Sequence, residues 1–213
     1  GVILLLTLLW PKILKELTTK QIFIFFSVCF VSFGLLLIFL TSFTGRDDAG
    51  TVFKGAVQFN AGNFSLIKPG AYFFRYPHQL GLLSFERLVL YLIPLPVISV
   101  FYVLNLGMVI GMNYATWKIT EELFQRPLVS RTAVIMSFGF LPLVFNIMFA
   151  YGLMYGLFFG SFAILFFLRY LRRGKVRNAI LSVLMLTLAY WVRSNNIILI
   201  IALSGILILL TLR

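Results

Sequence analysis

Long apolar runs separated by short polar breaks set the pattern of this chain. They fall at 21–44, 79–93, 96–117, 132–149, 155–168, 178–192 and 197–212, with a partial run at 1–10. Most are long enough to cross, or nearly cross, a hydrocarbon core of about 30 Å as helices, and none shows the two-residue alternation that a membrane barrel requires. The pattern predicts an all-α polytopic membrane protein, with residues 1–213 forming a single transmembrane domain.

The run at 79–93, QLGLLSFERLVLYLI, departs from the others. As a helix it reaches only about 22 Å, and Glu86 and Arg87 stand at its middle. It is expected to lie in the outer interface rather than cross. A second interfacial helix is expected at 48–60, DAGTVFKGAVQFN, where Val52, Ala56 and Phe59 share one helical stripe with Phe53 and Val57 beside it. Both belong to a first external loop at 45–95. The crossing segments are then 1–10 (partial), 21–44, 96–117, 132–149, 155–168, 178–192 and 197–212.

Charge sets the orientation and makes the crossings consistent. RYLRRGKVRN carries Arg169, Arg172, Arg173, Lys175 and Arg177 with no acid, and PKILKELTTK carries three lysines and one glutamate, so both are expected in the cytoplasm. The number of crossings between them must be even, and the simplest way to satisfy this is for 79–93 to stay on the outer side. KITEELFQRPLVSR is then a cytoplasmic loop, FAYGLMYG a tight external turn, and RSNN external. Gly107 with Gly111, and Gly152, Gly156 and Gly160, give small-residue faces for close helix packing. Trp117 and Tyr170 near the inner face and Trp191 near the outer one fit interfacial belts.

Composition agrees with a bilayer as solvent. Apolar residues make up 61% of the chain and charged residues 11%, with a mean hydropathy of +1.02, which excludes an ordinary soluble domain. A net charge of +12 would point to nucleic acid in a soluble chain, but here it falls mainly in loops, so no nucleic-acid partner is expected. The single cysteine, Cys29, excludes an intramolecular disulfide. The segment GVILLLTLLW lacks a basic leader region, and the chain is expected to be an N-terminal part of a larger protein.

Three stretches carry candidate chemistry. TSFTGRDDAG sets Asp47 and Asp48 side by side where an apolar run ends, a third of the six acidic residues in the chain. Either aspartate suits the N-cap of the helix that follows. The pair also suits a general base or a divalent-cation site, such as Mg or Mn, at Asp47 and Asp48. YFFRYPHQLG concentrates Tyr72, Arg75, Tyr76, His78 (the only histidine) and Gln79, with Pro77 at a helix start. YWVRSNN places Arg193, Asn195 and Asn196 at an outer boundary, where a guanidinium either marks the interface or clamps a phosphate.

In this order, the paired acids, the AGNFS helix, YFFRYPHQLGLLSFERL and RSNNIILIIAL resemble the GT-C glycosyltransferases, over most of the chain. The likeness is to bacterial relatives of the protein O-mannosyltransferase and aminoarabinose-transferase group. Ser194 stands where proline is common in that group, and Leu153 where many relatives carry an acid. The resemblance implies a GT-C-like helical bundle and an enzyme at the cell membrane with its site on the extracytoplasmic face. Such enzymes move a sugar from a polyprenyl-phosphate carrier, with inversion, to an acceptor: cell-wall polysaccharide, teichoic acid, lipid or protein. It implies Asp48 as the preferred base with Asp47 beside it. Arg193 and Arg75 are implied at the lipid phosphate, and Tyr76, His78, Gln79, Asn195 and Asn196 as further substrate-binding residues. A lipid or sugar transporter or flippase is the alternative, disfavoured by the scarcity of charged groups inside the runs. A non-catalytic relative is the third reading.

Overall fold

Thr18 starts the first helix by a reciprocal cap. The Gln21 backbone N–H donates to Thr18 Oγ1 at 3.2 Å, and the Thr18 N–H donates to Gln21 Oε1 at 2.8 Å, so two amides at the end of α1 (Thr19–Leu40) are satisfied locally. The computed structural model describes residues 16–41, 44–45 and 47–212, and the expected partial span at 1–10 lies outside them. Nine further helices follow among the described residues: α2 (Asp47–Asn60), α3 (Tyr72–Arg75), α4 (Leu80–Leu92), α5 (Ser99–Phe124), α6 (Pro127–Phe138), α7 (Leu141–Asn146), α8 (Gly152–Arg173), α9 (Val176–Val192) and α10 (Ile197–Thr211). Short 3-10 turns stand at Ser65–Ile67, Pro77–Gln79 and Ser194–Asn196, and the described residues contain no strand.

Among the described residues three helical stretches are long and apolar enough to cross a membrane: Thr19–Leu40, Gly152–Arg173 and Ser194–Thr211. Helices α6 and α9 are apolar but shorter. The run at 132–149 is not one continuous helix. Pro142 has no N–H to return to the Phe138 carbonyl, so α6 stops at Phe138, the Gly139 N–H closes its last turn on Ile135 O at 2.9 Å, and α7 restarts with proline in its first turn. The backbone beyond α7 would leave carbonyls unpaired inside the fold. The buried Asn105 amide of α5 donates to Ile147 O at 2.9 Å and Phe149 O at 3.2 Å and supplies them.

Two segments expected as loops are helical instead. KITEELF continues α5 to Phe124, where Gln125 turns into the left-handed region (φ 53°), and RYLRR continues α8 to Arg173, where Gly174 caps at φ 65°. Glu122 joins these two ends, accepting from Arg169 and Arg172 at 3.2 Å each and from Arg173. The ends of α5 and α8 therefore share one end of the bundle.

Helix α5 packs against α8, α8 against α9, and α1 lies across α5 and α6. Gly152, Gly156 and Gly160 pack as their spacing predicts. An added methyl would meet Val192 O, Asn196 Nδ2 and Leu199 Cδ2 respectively, while at Gly107 it would meet nothing within 4 Å. The two helices of the 45–95 segment pack on each other rather than lying separately. Helix α2 turns in Ala49, Val52, Ala56 and Phe59, α4 turns in Leu82, Leu83, Glu86 and Leu90, and Phe73 fills the space between them.

Gly81 is the closest approach of α4 to the end of α9, because any Cβ there would collide with the Trp191 carbonyl oxygen, which is backbone and has no rotamer to escape to. Gly81→Ala is expected to lower stability by about 1–3 kcal/mol, the usual cost of overpacking, whereas Gly107→Ala stays close to the parent. Thermal unfolding of both variants in detergent checks the contrast.

Candidate functional site

Asp47 and Asp48 both lie in the first turn of α2, and neither precedes the helix as its cap residue. Asp47 adopts φ 48°, a left-handed conformation that aspartate tolerates better than most residues, and its carbonyl accepts the Thr51 hydroxyl at 3.0 Å. Asp48 turns to a partner 24 residues on: the Tyr72 hydroxyl donates to its Oδ1 at 2.7 Å. The capping expectation is thus replaced by a tertiary bond between α2 and α3. As first-turn carboxylates both still suit the positive end of the helix dipole.

Tyr72 is held in its phenol form. Burial is the largest cause, followed by the hydrogen bond and charge of Asp48, with smaller contributions from Tyr151 and Tyr76. The Tyr72 ring lies 5.0 Å from that of Tyr76, which lies 6.1 Å from His78. A run of aromatic contacts therefore leads from Asp48 toward the segment preceding α4.

That segment forms one wall of a small cavity of about 90 Å³. His78, Gln79 and Leu82 face Tyr151 and Gly152 at the start of α8, and Arg193, Ser194 and Asn195 beyond the end of α9 close the third side. The Gln79 side-chain amide donates to the Tyr151 hydroxyl, and the Arg193 guanidinium stands 5.8 Å from the Tyr151 ring centroid, within cation–π range. Gln79 is buried and Arg193 half-buried, so a guanidinium and an amide are presented where water is already reduced. A charge-assisted bond to an anion is stronger there than on an open surface.

Not every expected site residue reaches this cavity. Asn196 serves the scaffold: its amide donates to Ala189 O at 2.8 Å, adding a second donor to a last-turn carbonyl of α9 that already takes the Arg193 N–H at 3.1 Å, and Gly156 provides the room. Arg75 and Tyr76 are exposed and stand outside the lining, Tyr76 being one ring contact away. Tyr151 was missed, because FAYGLMYG reads as a tight external turn. Among the described residues no group of three or more His, Cys, Asp or Glu is placed to hold a metal ion. The Asp47 and Asp48 carboxylates would supply two ligands at most, a number that suits Mg²⁺ shared with substrate phosphate and water but not an all-protein cage.

A second concavity, an apolar groove of about 630 Å³, opens between the end of α4 and α5, with Val89, Ile93, Val100, Val103, Gly107 and Phe158 on its walls. Leu82 of the small cavity and Val89 of the groove lie about 10 Å apart along α4.

No protein-family model matches the chain, and neither a curated protein nor a solved structure is significantly similar to it.

The two asparagines should separate by measurement. Asn196→Ala is expected to lower stability by about 1 kcal/mol, since it removes a part-buried hydrogen bond from a carbonyl that keeps the Arg193 N–H, while Asn195→Ala, at the cavity rim, leaves the unfolding midpoint near that of the parent. Thermal unfolding in detergent reads both.

Proposed function

We propose that this chain is part of a multi-pass membrane glycosyltransferase of the GT-C kind, transferring a sugar from a polyprenyl-phosphate carrier to an extracytoplasmic acceptor. The multi-pass reading is supported by the three apolar stretches, by the many large apolar side chains facing outward on α1, α9 and α10, and by the basic residues gathered at one end of α8. One observation carries the enzymatic reading. A cavity combines Arg193 with His78, Gln79 and Tyr151, and the Tyr72 phenol that holds Asp48 lies within electrostatic reach of Tyr151.

In the proposed reaction the carrier's phosphate sits at Arg193, steadied by the Gln79 and Asn195 amides, and its isoprenoid chain follows the apolar groove along α4 and α5. Asp48 takes the proton of the acceptor hydroxyl as that oxygen attacks the anomeric carbon. The bond from that carbon to the phosphate oxygen breaks, the sugar inverts, and the carrier leaves as polyprenyl phosphate. The Tyr72 hydroxyl, donating to Asp48, fixes the direction of its free oxygen. Arg193 meets charge that grows on the leaving phosphate, so its contribution rises toward the transition state.

The test uses the full protein in membranes with labelled polyprenyl-phosphate sugars. Asp48→Asn is expected to lower transfer by about 100-fold or more at normal accumulation, as loss of a general base does. Arg193→Ala is expected to weaken donor binding as well as turnover. Unchanged transfer in Asp48→Asn would remove the assigned base, and no release of sugar by the parent from any such carrier would remove the enzymatic reading.

A further inference from the structure

Glu86 is a buried carboxylic acid that neither the scaffold nor the proposed chemistry explains. It stands in the middle of α4 with no exposed surface, and both carboxyl oxygens lack a hydrogen-bond partner. A buried charge without an ion pair costs several kcal/mol, so helices do not bury an ionised carboxylate this way. Around it the packed surfaces are apolar: Val52, Ala56 and Phe59 from α2, with Leu82, Leu83 and Leu90 from its own helix. A buried polar group within electrostatic reach of it comes from α8. The Tyr155 hydroxyl is also buried and without a partner, it lies within electrostatic reach of Glu86, and its ring stands 4.6 Å from that of Phe85.

Of the other titratable groups near α4, Tyr102 of α5 is buried in the same apolar cluster, and the charged ones stand apart from Glu86. Asp48 at the head of α2 is bonded to Tyr72 and Lys54 is exposed, while Arg193 at the end of α9 lines the cavity over Tyr151. Arg87, next in sequence, donates to Asn60 Oδ1 at 3.2 Å and lies against Phe59 and Phe64. Burial alone raises the Glu86 carboxyl well above the ordinary carboxylate range.

Glu86 lies about two turns beyond Gln79 on the same buried face of α4, and Tyr155 one turn beyond Tyr151 on α8. By this spacing Glu86 and Tyr155 stand in the next layer beneath the Gln79–Tyr151 bond that closes the cavity. We propose that Glu86, facing the Tyr155 phenol, is a positioning residue that acts as a proton-dependent latch. Carrying its proton it seats α4 against α8 and α9 and holds the Gln79 wall in place, and on losing that proton to water it releases the wall. The proposal rests on the cavity's geometry and not on the reaction assigned to it.

The sign follows from linkage. An acid whose native form holds the proton more tightly than the unfolded chain does contributes fully at low pH. That contribution is lost as pH rises from the ordinary carboxylate range toward the raised value. Trp191 is placed to report the movement, since its backbone carbonyl and ring edge lie against Gly81 of α4. The experiment is a pH titration of the full chain in lipid nanodiscs, labelled with 5-fluorotryptophan and followed by fluorine NMR, with the Trp191 resonance assigned by its loss in Trp191→Phe. The parent is expected to show a Trp191 shift at alkaline pH that is absent in Glu86→Gln, whose neutral amide keeps the low-pH resonance throughout. At neutral pH the infrared spectrum is expected to carry a protonated-carboxyl band that Glu86→Gln removes. A Trp191 transition that persists in Glu86→Gln, a parent with no transition, or the absence of that infrared band each overturns the latch. None of these readouts depends on sugar transfer, so they stand whether or not the glycosyltransferase reading does.

Discussion

The structure depends on one constraint: a backbone amide or carbonyl turned into an apolar interior must find its partner inside the chain. Where the helices are regular the backbone does this itself. Where they break, side chains of small polar residues take over. Asn105 serves the carbonyls beyond α7, and Asn196 adds a bond at the end of α9. Each bond is worth only about 1 kcal/mol net, but an unmade one inside the fold costs more, so Asn105 is what lets the chain leave the helix beyond α7.

The cavity exists because two such ends meet. Helix α9 stops at Val192, α8 starts at Gly152, and Gly152 lets the two backbones approach until the Val192 carbonyl occupies the place of a side chain. The same trick at Gly81 brings α4 against Trp191. Three chain ends then converge with their terminal residues pointing at a common space. Gln79, Tyr151 and Arg193 reach that space from those ends and not from the middle of any helix.

Period and turn chemistry made much of this legible in advance. The inward faces of α2 and α4 follow directly from Val52, Ala56, Phe59 and Leu82, Leu83, Leu90, since an amphipathic stripe names its own buried side. What periodicity does not name is the partner, and the two helices cover each other as well as a membrane surface would. The break at Gly139 was written in Pro142, but an apolar run of that length masks a proline when hydropathy alone is read. The extended ends of α5 and α8 escaped because charge was read as loop, although Glu122 and the arginines at 169, 172 and 173 solve their solvation by meeting each other.

The site was legible in part for a related reason. Residue type flags Arg193, His78 and Gln79, since each is costly to leave near lipid without a task, and the cavity does gather them. Residue type does not separate Asn195 from Asn196. They are adjacent and chemically identical, and the difference between rim and scaffold is set by which one faces Gly156, where the missing side chain leaves the space an amide needs to reach Ala189. The same holds for Asp47 and Asp48: only the path of the chain through α3, which returns Tyr72 to the head of α2, distinguishes the aspartate that is held from the one beside it. A carboxylate fixed by a phenol that itself resists ionisation keeps one oxygen bonded and leaves the other to act, and that asymmetry is what a base needs and a solvated pair lacks.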